Sequence, residues 1–136
     1  MAVQLAVRTL AVWMAILVLA VVNGIVRESV LVPALGSAPG LFLSGLLLSC
    51  FILIVAFLTL PWLGARSTRQ LLLVGFGWVL LTLVFEFSFG WLQGMNLDEL
   101  LSAYTFEGGN IWPIVLLVTA VAPWLAARLR GTTRSG

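Results

Sequence analysis

At 136 residues the chain is long enough for one compact unit and too short for two. Apolar side chains make up 62% of it and charged ones only 9%, with a mean hydropathy of +1.16. A water-facing surface can hardly be built from that composition, so lipid is its natural solvent. The net charge of +2 rests on seven Arg scattered at segment ends, with no Lys and no His, which is not the basic patch of a nucleic-acid binder.

A helix needs about 20 residues to cross a hydrocarbon core about 30 Å thick, and four stretches qualify. The expected fold is an all-α integral membrane protein: one transmembrane domain over 1–136, built as an antiparallel up-down four-helix bundle. The first span covers about 7–26. Its apolar run ends in Asn23 and Gly24 with no small-x-small cleavage site, so it reads as a retained helix rather than a signal peptide. Residues 27–40 hold two prolines, two glycines and a short apolar piece, which predicts a non-spanning connection.

The second span, about 41–63, carries no charge, and its single cysteine, Cys50, excludes an internal disulfide. A tight polar turn over 64–70 follows, and short connections make successive helices neighbours. The third span, about 71–92, is interrupted only by Glu86. Beyond it, Asn96 and Glu99 form a capping-box pattern. Leu97, Leu100, Leu101 and Tyr104 recur at helical spacing opposite Asp98, Glu99 and Ser102. This predicts a short amphipathic helix at about 97–105, lying in the membrane interface between spans three and four. The fourth span, about 111–129, has Pro113 in its opening turn and Pro123 inside it, where a kink or local loosening is expected.

With the N-terminus inside, Arg8, Arg66, Arg69, Arg128, Arg130 and Arg134 fall on the cytoplasmic side and Arg27 alone on the other. The positive-inside rule then places both termini in the cytoplasm. Small-xxx-small pairs are expected to support helix packing: Ala11 with Ala15, Ala20 with Gly24, Gly45 with Ser49, Ala122 with Ala126. The six Trp lie near span ends and read as interfacial anchors.

Glu86 is the residue that demands an explanation. Counted from Leu71, it stands about 22 Å above the inner boundary, where an unpaired carboxylate costs about 2–3 kcal/mol or more. Arg27, the one outer Arg, is expected at a matching height. Asn23 and Thr82, each one turn earlier on the two helices, face the same side. The candidate site is therefore a polar cluster of Asn23, Arg27, Thr82 and Glu86, with Glu28 and Asn110 at its rim. It is either a functional pocket or a buried ion pair that fixes helix register. No His and one Cys leave no metal site of the usual kind and no triad, and no P-loop or dinucleotide fingerprint is present. No cofactor and no enzymatic activity are expected.

Asn23-Gly24 with Arg27-Glu28, Phe85-Glu86 with Phe89-Gly90, Leu100-Leu101 before Tyr104, and Gly109 through Trp112 together resemble a family of small four-span bacterial inner-membrane proteins that has no assigned activity. The resemblance spans nearly the whole chain and implies a multi-pass protein of the bacterial inner membrane. The functional expectation is a small accessory or assembly subunit of a larger membrane complex, carrying an outer-leaflet polar pocket. The alternative is a self-associating proton- or solute-coupled carrier that uses Glu86 and Arg27.

Overall fold

The computed structural model describes residues 2–65, 67–102 and 111–131. In lipid every backbone N–H and C=O must be satisfied by the segment itself, and long runs of Leu, Val, Ala and Phe do so as helices. These are α1 (Ala2–Val26), α2 (Val32–Leu35), α3 (Ser37–Leu63), α4 (Thr68–Leu92), α5 (Leu97–Ser102) and α6 (Trp112–Arg130). Four continuous stretches, Val3–Leu35, Ser37–Leu63, Thr68–Leu92 and Trp112–Arg130, are long and apolar enough to cross a membrane. The fold is an all-α four-helix bundle of a multi-pass membrane protein.

The connection expected over 27–40 is instead almost entirely helical. Arg27–Leu31 is one π-helical turn in which the Val32 N–H reaches the Arg27 carbonyl, so α1 widens and continues into α2 rather than ending. Pro33 follows in the first turn of α2, where the α-helical ladder is already interrupted. Only Gly36 breaks the run. Its φ of +93° and ψ of 169° belong to a region open essentially to glycine alone, and the chain reverses there into α3. Pro39 then sits in the first turn of α3, where its missing N–H has no partner to lose. Proline and glycine content suggested a loop; here both prolines stand at helix starts, which tolerate them.

Other boundaries follow local chemistry. α4 begins at Thr68 because Ser67 caps it: Gln70 N–H donates to Ser67 Oγ at 3.1 Å, and the Gln70 side chain accepts from the Ser67 N–H. α5 opens on the expected capping box, with Glu99 N–H donating to Asn96 Oδ1 at 2.8 Å and Asn96 N–H donating to Glu99 Oε1 at 3.2 Å. Leu97 and Leu101 of α5 face outward. Positions 103–105 of the expected interfacial helix lie outside the described residues, as do Arg66 and Arg134.

The exterior is apolar, with Leu58, Leu73, Leu80, Val84 and Leu117 all more than half exposed. α6, the least apolar of the four spans, packs against both α3 and α4, whereas α1 packs against α3 and more sparsely against α4. Despite their tight connection, α3 and α4 barely touch among the described residues, because α6 and α1 stand between them. The order around the bundle is α1, α3, α6, α4, so the expectation that successive spans are neighbours fails at the second turn. What draws α6 inward is its smallness. Ala120, Ala122, Ala126 and Ala127 are buried, and a Cβ built on Gly75 would overlap the Ala120 carbonyl, so the α4 and α6 backbones meet directly. Ala11 and Ala15, by contrast, are exposed.

The two ends of the bundle differ. At one end, Arg8 donates to the Trp62 carbonyl at 2.7 Å and Arg130 to the Phe57 carbonyl at 2.9 Å, forming a collar around the end of α3. Near this collar the core is dense: Ala56, Leu71, Val74, Trp78, Ala122 and Ala127 are almost fully buried. At the opposite, hairpin end near Arg27, Asn23 is the one buried residue of α1 beyond Ile16. The helices separate there and leave a hollow.

Candidate functional site

Two indole hydrogen bonds set the register of α1 against α4. Trp13 Nε1 donates to Thr82 Oγ1 at 3.1 Å, and Trp78 Nε1 donates to the Thr9 carbonyl at 2.9 Å. One indole reaches in each direction across the same offset of 69 residues, so the lean of the long side chains cancels. Glu86 therefore lies level with Leu17. Arg27 is ten residues farther along α1, or about 15 Å. The sequence count took each span to start at a common plane, and α4 begins well below the level of Arg8.

That offset explains the partners observed. Arg27 does not meet Glu86; its Nε stands 3.2 Å from Glu28 Oε1, and its guanidinium folds back over Gly24. Thr82 is occupied as well, donating to the Trp78 carbonyl at 2.8 Å while accepting from Trp13. Asn23 turns to α3: Ser44 Oγ donates to Asn23 Oδ1 at 2.5 Å, and Asn23 Nδ2 donates to the Ser44 carbonyl at 3.2 Å. Both residues are buried, so the pair locks α1 to α3 and Asn23 stands apart from the other three. Glu28 is exposed at the hairpin end, and Asn110 lies outside the described residues.

The structure nevertheless brings Thr82, Glu86 and Arg27 to one cavity of about 520 Å³, a size ordinary for ligand sites. Trp13 and Thr82 form its floor, Leu48, Ile52 and Val115 its back wall, and Arg27 and Gln93 its mouth. Phe85 and Phe89 stack one turn apart with centroids 5.6 Å from each other, and Trp13 meets Phe85 edge-on at 6.3 Å. The opening continues toward the hairpin end past Gly24, Glu28 and Gln93. Half-buried Glu86 lines this space, and among the described residues its carboxylate makes no hydrogen bond or ion pair. A carboxylate beside aromatic faces in an apolar enclosure is suited to a positively charged group.

Sequence reasoning missed Ser44, Trp13 and Gln93. Ser44 is a hydroxyl in a charge-free run, and because Asn23 lies 13 residues before Gly36 and Ser44 only 8 after it, pairing across that reversal does not by itself bring the two together. Trp13 and Trp78 were expected as interfacial anchors. At 7% and 0% exposure they are core residues whose N–H groups are satisfied across helices, while Trp62 and Trp91 do face outward near helix ends. No protein-family profile matches the chain, and no curated protein or solved structure shows significant similarity to it.

Proposed function

We propose that the chain is an accessory or assembly subunit of a larger complex in the bacterial inner membrane, with both termini in the cytoplasm and its pocket opening toward the outer leaflet. One observation carries this reading: the cavity is closed at the collar end by the Trp13–Thr82 contact and the packed core beneath it, and open at the hairpin end. A cavity that ends at the Trp13–Thr82 contact and opens at the hairpin end and along the α1–α4 seam offers a place for binding. The collar residues Arg8, Arg128 and Arg130 support the cytoplasmic assignment of that end. The resemblance to small four-span inner-membrane proteins supports the location. Blue-native electrophoresis after mild-detergent extraction, with mass spectrometry of the band, tests the reading. A stoichiometric companion protein is expected; a chain that migrates alone defeats it.

A second reading, a self-associating carrier, is favoured by the unpaired Glu86 sharing a cavity with Arg27. It requires a clean homo-oligomer on the same gel and a flux in proteoliposomes that Glu86→Gln abolishes.

A further inference from the structure

α1 and α4 touch near their collar ends and part above the Trp13–Thr82 contact, leaving a groove edged by Val21 and Phe89, each about half exposed. Glu86 stands in that groove. We propose that it receives a transmembrane helix of a different protein, seated by a Lys or Arg side chain that meets the Glu86 carboxylate inside the cavity. This rests on the accessory-subunit reading and specifies the partner that the subunit takes.

Charge is the first argument. A carboxylate held within a membrane span calls for a cation. Among the described residues Glu86 has no ion pair, and Arg27, which lines the same cavity, is engaged by Glu28. The chain contains no Lys. In a second copy of the same orientation the described Arg stand at the two ends, Arg8, Arg69, Arg128 and Arg130 at the collar and Arg27 at the hairpin, so the cation at the level of Glu86 is assigned to another protein.

Depth is the second. Glu86 lies six residues, or about 9 Å, before the end of α4 at Leu92. A lipid ammonium stays with the headgroups, whereas a side chain carried on a helix delivers its charge at whatever depth its position dictates.

The walls are the third. The stem of a Lys or Arg lies well along apolar surface, and the faces of Trp13, Phe85 and Phe89 attract its charged tip. Phe89 and Val21 at the lips offer apolar surface to the helix that carries it.

The test uses the purified chain in phosphatidylcholine vesicles, labelled at Cys50, the one cysteine, which is exposed on α3. Acceptor-labelled polyleucine helices carry a single central guest residue, and energy transfer reports association. The Lys guest is expected to bind about tenfold more tightly than the all-Leu helix, a difference of about 1.4 kcal/mol. A Glu guest should bind more weakly than Leu. Moving Lys to the helix end should remove its advantage, and Glu86→Gln should bring Lys to the all-Leu level. Equal binding of Lys and Leu guests overturns the proposal, and so does a Lys advantage that survives Glu86→Gln. Displacement of the Lys helix by phosphatidylethanolamine in the vesicles also overturns it, because a lipid would then be the occupant. If Glu86→Gln does not fold, the guest series on the wild-type chain decides alone. The two readings fail separately. A native companion retained by Glu86→Gln defeats the groove and leaves the accessory role standing. A wild-type chain without any companion defeats the accessory role, whatever the vesicles show.

Discussion

Pro61 has no N–H to offer the Phe57 carbonyl four residues earlier, and Arg130 of α6 donates to that carbonyl instead at 2.9 Å while its guanidinium lies over the Phe57 ring. A defect in one helix is thus satisfied by the end of another. Arg130→Ala is expected to lower stability by about 1–2 kcal/mol. In a Pro61→Ala background, where the backbone N–H returns, less than half of that loss should remain. A double-mutant cycle by detergent unfolding measures the coupling, and additive effects would refute it. The Asn23–Ser44 pair is a second residue-scale contact, and Asn23→Ala should cost about 0.6–1.7 kcal/mol by the same assay. Neither contact was legible in the sequence. Both join residues far apart in the chain, and each depends on a helix-to-helix register that local spacing does not encode. What the sequence did expose was Glu86 itself, since a charge inside an apolar run needs no partner to be noticed.

The elements were more legible than their junctions. Apolar length marked all four spans, and the Asn96–Glu99 box marked the start of α5, because each of these signals is local. The α1–α3 junction was misread because proline at a helix start and proline in a loop look alike until the breaker, Gly36, is located. The Gly75-Phe76-Gly77 segment makes the point experimentally. A Cβ on Gly75 would overlap the Ala120 carbonyl, whereas on Gly77 it would meet Thr9 Cγ2 at an ordinary 3.9 Å. Gly75→Ala is expected to destabilise the bundle by about 1–3 kcal/mol through forced separation of α4 and α6. Gly77→Ala should leave stability unchanged or raise it by up to about 1 kcal/mol through helix propensity. Equal effects at the two positions would show that the α4–α6 contact is looser than described.

At the scale of the whole molecule, the arrangement of α1, α3, α6 and α4 around the bundle could not be read from connection lengths, because a short turn fixes where two helix ends lie and not which sides face each other. That order surrounds the cavity with all four spans and leaves its weakest seam between α1 and α4. The two indole hydrogen bonds across that seam act as a fulcrum. On the collar side the helices are clamped by packing; on the hairpin side α1 is a lever arm tethered to α3 through Asn23 and Ser44. Stiffness should therefore grade along a single helix. Hydrogen–deuterium exchange in detergent is expected to be slowest for the amides of residues 9–16 and faster for residues 17–26, even though both belong to one uninterrupted span. Whatever occupies the groove would then slow exchange on the lever arm, and a local contact would be registered as the stiffening of an entire half-helix.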